Sequence, residues 1–91
     1  MNRYSIIVHG RVQGVGYRFS TYRTATFLNL TGWVQNLDDG TVKIEVQGSN
    51  ESIKKFIQRL KHNNKFAKVE YINVKEINKT DNKKSFKIIG Y

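Results

Sequence analysis

The clearest structural pattern lies in residues 32–47, which read GWVQNLDDGTVKIEVQ. From Thr41 to Gln47, apolar and polar side chains alternate strictly, and a period of two is typical of a strand with one buried face. Residues 32–37 form a second extended run, and Asp-Asp-Gly at 38–40 supplies residue types that adopt the positive φ angles of tight hairpin turns. This stretch therefore predicts two antiparallel neighbouring strands.

Three further strands are predicted outside the hairpin. Residues 3–9 alternate in the same way, although an isoleucine on the second face suggests a central strand covered on one side. Residues 69–77 form a longer strand whose apolar phase slips between Tyr71 and Ile72, as a β-bulge would produce. Residues 86–89 form a short last strand.

Two helices are predicted between these strands. Residues 19–29 have helical spacing of apolar residues, although several threonines lower their intrinsic helix propensity. Residues 49–63 have a stronger pattern, with Ser49 or Asn50 as N-cap and Glu51 in the first turn. The expected buried stripes are Phe19, Tyr22, Ala25 and Leu28 in the first helix and Ile53, Phe56, Ile57 and Leu60 in the second.

The resulting element order is β-α-β-β-α-β with a short terminal strand. This order predicts the α+β class and a ferredoxin-like α/β sandwich, in which two helices cover one face of a mostly antiparallel sheet. A chain of 91 residues has room for one core, so we expect a single domain over residues 1–91.

The composition limits the kinds of binding partner and the cellular compartment that we expect. Sixteen Lys and Arg against seven Asp and Glu give a net charge of +9, which favours an anionic partner without identifying it. The chain has no cysteine, which excludes disulfides, thiolate nucleophiles and thiolate metal ligands. The apolar run in residues 1–9 is too short for a secretory leader or a membrane span, so we expect a cytoplasmic protein without a membrane partner.

A candidate anion site lies in residues 10–18, which read GRVQGVGYR and connect the first strand to the first helix. Gly14 and Gly16 allow successive backbone N–H groups to converge on one point, next to a helix N-terminus. Arg18 could add a guanidinium that binds two phosphate oxygens. The spacing matches neither the Walker nor the dinucleotide pattern, and by itself it leaves phosphate binding and a tight connection equally open.

Asn36 is the second candidate, since asparagine is disfavoured in strands and here stands just before the hairpin turn. Its amide could bond to its own backbone, as turn-proximal asparagines do. Alternatively, an amide that faces the anion site could hold a water in line with a phosphorus atom.

Residues 10–18, together with Gly32-Trp33-Val34-Gln35-Asn36 and Asp39-Gly40, closely resemble the two signatures of the acylphosphatase family. This resemblance implies hydrolysis of a small-molecule acyl phosphate without a metal or another cofactor. It also implies that Arg18 binds the phosphate and that Asn36 orients the water. The substrate-binding residues implied in this way are Gln13, Gly14, Val15, Gly16, Tyr17 and Arg18.

Three positions depart from the family pattern. Tyr17 stands where phenylalanine is common, Asn29 where the first helix usually ends in glycine, and Leu37 where some members have threonine. Asparagine is the next-best residue for a left-handed helix C-cap, so position 29 still fits the fold. We expect Gly90 and Tyr91 to help frame the pocket.

Other functions remain as alternatives. A basic nucleic-acid-binding module shares the element order, but residues 41–47 lack the aromatic side chains with which such modules stack bases. A phosphate-sensing domain could keep the scaffold without turnover, or the chain could be a fragment of a larger maturation enzyme. The presence of both Arg18 and Asn36 argues against a sensor without turnover. A start at Met1 just before a strand argues against a fragment. Lysine in an edge strand favours a monomer.

Overall fold

The computed structural model describes residues 1–81 and 85–90, and this part of the chain forms a five-stranded sheet and two helices. The elements are β1 (Asn2–Arg11), α1 (Tyr17–Phe27), β2 (Thr31–Asn36), β3 (Val42–Gly48), α2 (Asn50–Leu60), β4 (Lys68–Ile77) and β5 (Phe86–Ile89). The strand order is β4-β1-β3-β2-β5. Only β2 and β5 run parallel, so the predicted mostly antiparallel sheet and element order are confirmed.

The β2–β3 hairpin is confirmed, but its turn differs from the predicted one. Only Gly40 has a positive φ, of 92°, whereas neither aspartate in the turn does. The Gly40 N–H donates to the Leu37 carbonyl at 3.2 Å, and the Leu37 N–H donates to the Thr41 carbonyl at 2.9 Å. A four-residue turn closed by a left-handed glycine needs one positive φ, unlike the tightest two-residue hairpin turns.

The α2 helix packs as its sequence pattern predicts. Ile53, Phe56 and Leu60 are buried, and Ile57 packs at the edge of the same core. The Ser49 hydroxyl accepts a hydrogen bond from the Ser52 N–H at 3.2 Å, which identifies the N-cap. The helix ends at Leu60, three residues earlier than predicted. With 11 residues each, neither α1 nor α2 is long enough to cross a membrane.

Of the four residues predicted to form the packing face of α1, Ala25 is buried and Tyr22 and Leu28 pack against the core, but the prediction for Phe19 is wrong. The buried residues are Tyr17, Thr21 and Ala25, whereas Phe19 is 56% exposed. The helix begins two residues earlier than predicted, and its buried stripe consists of residues spaced by four from Tyr17 onwards. Asn29 does follow the helix with a φ of 59°, so the expected left-handed C-cap is confirmed.

The predicted β-bulge in β4 exists, but it lies earlier in the strand than predicted. His9 pairs with Tyr71 and Gly10 pairs with Val69, so Glu70 is the extra residue. The extra residue turns Val69 and Ile72 towards the core side together, which explains the phase slip in the sequence. A Cβ at Gly10 would overlap the Lys68 carbonyl, so the bulge requires glycine there.

Candidate active site

The loop between β1 and α1 has a backbone that only glycine adopts readily. Gly14 and Gly16 have φ angles of 76° and 79°, both in the left-handed region. Gly16 is the N-cap of α1, and this helix has neither a side-chain cap nor an acidic residue in its first turn. The positive end of the helix dipole is therefore not neutralised by the helix's own side chains.

The backbone of this loop carries unused hydrogen-bond donors. The N–H groups of Gln13 to Tyr17 donate to no acceptor among residues 1–81 and 85–90. Unpartnered N–H groups around left-handed residues form the concavities that bind anions in many proteins. The loop therefore has the properties of a phosphate cradle.

Arg18 lies in the first turn of α1 and reaches the end of β5. Its Nη1 donates to the Ile89 carbonyl at 3.0 Å. A Cβ at Gly90 would lie 3.2 Å from the same nitrogen, so this tail residue flanks the guanidinium as expected. Tyr91 lies outside the described residues.

A cavity of about 210 Å³ joins the cradle to β2. It brings together four of the predicted substrate-binding residues, Gly14, Gly16, Tyr17 and Arg18, with Asn36. Gln13 and Val15 belong to the loop but do not line the cavity. The remaining lining residues are Val12, Phe19 and Ile88.

Asn36 is the last residue of β2, and its side chain has no hydrogen-bond partner among residues 1–81 and 85–90. Its Oδ1 is buried and accepts no hydrogen bond, and the amide bonds to neither its own backbone nor any other described group. A buried acceptor without a partner costs about 1–3 kcal/mol, so such groups usually hold an ordered water or a ligand. The alternative in which Asn36 bonds to its own turn does not occur.

The side chain of Gln13 joins the loop to the β2–β3 hairpin. Its Nε2 donates to the Leu37 carbonyl at 2.7 Å and to the Thr41 carbonyl at 2.9 Å. These two carbonyls flank the turn that follows Asn36. The cradle and the strand that carries Asn36 are therefore connected directly.

Asn64, which the sequence reasoning missed, holds the loop from the opposite side. Its Nδ2 donates to the Val15 carbonyl at 2.9 Å and to the Ser20 hydroxyl at 3.0 Å. Its Oδ1 accepts from the N–H groups of Phe66 and Ala67 at 2.8 and 3.2 Å. One asparagine in a stretch rich in asparagine and lysine carries no signal that distinguishes it from solvated neighbours.

Tyr17 anchors the start of α1 to the end of α2. Its hydroxyl donates to the Leu60 carbonyl at 2.6 Å. Tyrosine, in place of the phenylalanine common at this position, therefore adds a buried hydrogen bond. Burial raises the pKa of the Tyr17 phenol well above its ordinary value, and it remains neutral.

Among the described residues, no group of three or more His, Cys, Asp or Glu is placed to hold a metal ion. His9 instead stacks on Tyr71, with ring centroids 4.0 Å apart. The chemistry offered by the cavity is thus an arginine, backbone N–H groups and one amide.

Comparisons with known proteins identify the family of the chain. The model of the acylphosphatase family matches residues 4–88. A protein of Clostridium acetobutylicum named acylphosphatase is 47% identical over 98% of this chain and 98% of its own length. The crystal structure of an acylphosphatase from Bacillus subtilis superimposes with a TM-score of 0.94 and 39% identity, over 99% of this chain and all of that one.

The same fold also occurs inside a longer protein. A crystal structure of full-length HypF, described as bound to phosphate and nucleotide, matches with a TM-score of 0.89 and 34% identity. The match covers 98% of this chain but 12% of that one.

Proposed function

Since the chain belongs to the acylphosphatase family, whose members hydrolyse the carboxyl–phosphate anhydride of acyl phosphates, we propose that Arg18 and residues 13–17 bind the phosphoryl group and that Asn36 orients the attacking water. The proposal concerns the roles of these residues in the reaction of the family.

Phosphoryl binding follows from the charges and donors that line the cavity. The phosphoryl oxygens would accept from the loop N–H groups, which have no other acceptor among the described residues. Arg18 would add a guanidinium that stays charged at every relevant pH and binds two oxygens at once. The helix dipole of α1 adds to the attraction.

The water would bind to Asn36 on the other side of the phosphorus. Its oxygen attacks phosphorus, the bond from phosphorus to the acyl oxygen breaks, and the carboxylate leaves with the electron pair. The proton of the water passes to a phosphoryl oxygen of the substrate, so no protein base is required. An acyl phosphate has a good leaving group, and positioning with charge stabilisation is sufficient catalysis for such a transfer.

The observation that carries the proposal is the unpartnered Oδ1 of Asn36 in the same cavity as Arg18. If Asn36 had only a structural role, its buried acceptor without a hydrogen bond would lower the stability of the fold and give nothing in return. A bound water satisfies it and places a nucleophile beside the cradle.

We further propose that the chain acts as a single-domain monomer in the cytoplasm, with a small-molecule acyl phosphate and no specific nucleic acid as partner. Lysines in both edge strands, Lys68 and Lys75 in β4 and Lys87 in β5, disfavour edge-to-edge pairing. The absence of cysteine suits a reducing compartment.

The test is hydrolysis of benzoyl phosphate in EDTA by wild type, Arg18→Ala and Asn36→Ala. We expect turnover that resists the chelator and falls in both variants by about 10²-fold or more, as when one transition-state donor is removed. Inhibition by inorganic phosphate should weaken mainly in Arg18→Ala. Matched controls are Arg59→Ala and Asn73→Ala, whose side chains are exposed away from the cavity. Wild-type rates in the folded Asn36 variant would reject the role of its amide, and a folded wild type without turnover would favour a phosphate sensor.

A further inference from the structure

The exposed face of α1 begins at the mouth of the cavity. Phe19 lines the cavity with Arg18 and Asn36, yet 56% of its surface remains exposed. The sequence pattern predicts a core position for this residue, so its exposure is unexpected. An exposed phenylalanine beside a phosphate cradle offers an apolar surface to whatever group is attached to the phosphate.

A second arginine lies one helical turn further along the same face. The Arg23 guanidinium lies 5.9 Å from the centroid of the Phe19 ring. Arg23 forms no ion pair among residues 1–81 and 85–90, where the recorded salt bridge is Arg3–Glu45. The helix itself, YRFSTYRTATF, contains no aspartate or glutamate that could neutralise this arginine.

We propose that Phe19 and Arg23 form an acyl-group subsite for acyl phosphates that carry a second anionic group, such as a carboxylate, beyond an apolar or aromatic spacer. The spacer packs on the Phe19 ring, and the distal anion pairs with the Arg23 guanidinium. This inference rests on the proposed function, because it assumes that the phosphoryl group occupies the cradle beside Arg18.

Helix geometry sets the length of such a substrate. The cradle lies at the N-terminus of α1, and Arg23 is seven residues after the N-cap Gly16, which corresponds to roughly 10 Å along the helix axis at 1.5 Å per residue. Phe19 and Arg23 are separated by four residues and therefore lie on the same side of α1. A benzoyl group with a para carboxylate is rigid, matches this separation and cannot cyclise onto its own anhydride.

The size of the effect follows from the exposure of Arg23. An ion pair with an exposed arginine changes affinity by about twofold to fivefold, and less at high salt. We therefore expect a preference of about threefold to fivefold in kcat/KM for the anionic substrate over a neutral one of the same shape.

The experiment compares 4-carboxybenzoyl phosphate with 4-carbamoylbenzoyl phosphate, which has the same shape without the distal charge. Benzoyl phosphate reports whether the enzyme is active. We expect the wild type to prefer the carboxy substrate at low salt, and Arg23→Gln to lose this preference. Lys75→Gln, which removes the same charge at an exposed position of the edge strand β4, should retain it. Phe19→Leu should lower the ratio of benzoyl to acetyl phosphate hydrolysis.

Two results would overturn the subsite while leaving the proposed function intact: equal kcat/KM for the two para-substituted substrates in the wild type, or a preference that persists in Arg23→Gln. A preference lost equally in Lys75→Gln would assign it to net charge and would also reject the subsite. If the wild type fails to hydrolyse benzoyl phosphate, the proposed function fails first and the subsite falls with it.

Discussion

Replacing Asn64 with aspartate separates two roles that its amide combines. Its Oδ1 caps the turn before β4 by accepting from the Phe66 and Ala67 N–H groups, and a carboxylate oxygen can still do so. Its Nδ2 donates to the Val15 carbonyl, and a carboxylate oxygen at that place repels the carbonyl instead. The substitution therefore preserves the turn and releases the loop.

Release of the loop should weaken phosphate binding because the peptide group is planar. The C=O of Val15 and the N–H of Gly16 belong to one trans peptide and point in opposite directions. While Asn64 holds the carbonyl, the direction of the Gly16 N–H is fixed. Losing the hydrogen bonds to Val15 and Ser20 and gaining a repulsive contact corresponds to about 1–2 kcal/mol, or roughly tenfold in phosphate affinity. Asn64→Ala loses all four side-chain hydrogen bonds, and its free energy of unfolding should fall by about 2–4 kcal/mol.

Competitive inhibition by inorganic phosphate and urea denaturation measure these two effects separately. The control is Asn73→Asp, which introduces the same charge at an exposed site of β4. Any purely electrostatic loss should appear in both variants and decrease at high salt, whereas the loss from a released loop persists in Asn64→Asp. Unchanged phosphate inhibition in a folded Asn64→Asp protein would refute the clamp.

Two further predictions concern buried contacts. Because the buried Tyr17 keeps its proton while the unfolded chain ionises above about pH 10, its contribution to stability should fall by about 1.4 kcal/mol per pH unit above that value. Below pH 10, Tyr17→Phe should lower the free energy of unfolding by about 1 kcal/mol, because the hydrogen bond to Leu60 is lost. Urea titrations should show that this difference from wild type shrinks at higher pH. A difference that stays constant would contradict the raised pKa of Tyr17. A Cβ at Gly32 would overlap the Glu45 carbonyl, so Gly32→Ala should cost about 3 kcal/mol or more. Gly40→Ala meets no atom within 4 Å and should cost about 1 kcal/mol, so similar thermal stabilities of the two variants would reject the steric argument.

The sequence predicts those elements whose pattern comes from burial on one face. Strict alternation from Thr41 to Gln47 and the apolar stripe of α2 each reflect a single packed surface, and both are confirmed. In α1, by contrast, the pattern misleads because Phe19 is apolar and yet exposed. The sequence cannot distinguish an apolar residue of the core from one at the mouth of a cavity.

The candidate site shows the same division. Arg18 is recognisable because it directly follows the glycine loop, and Asn36 because asparagine is unusual in a strand. Both line one cavity. Asn64 is not recognisable, since its role depends on a contact with Val15 across 49 residues of sequence. Contacts of this kind arise from the tertiary fold and leave no local pattern.

The bridge from Gln13 to Leu37 and Thr41 has a consequence for thermal motion. Because one amide donates to both carbonyls, we expect the cradle and the end of β2 to move together. With the proposed roles of the cradle and Asn36, the distance between the phosphorus atom and the attacking water should then vary less than the position of either. Reactions that depend on alignment lose rate when the reacting atoms move independently. Coupled motion of this kind would preserve the alignment that the proposed reaction requires.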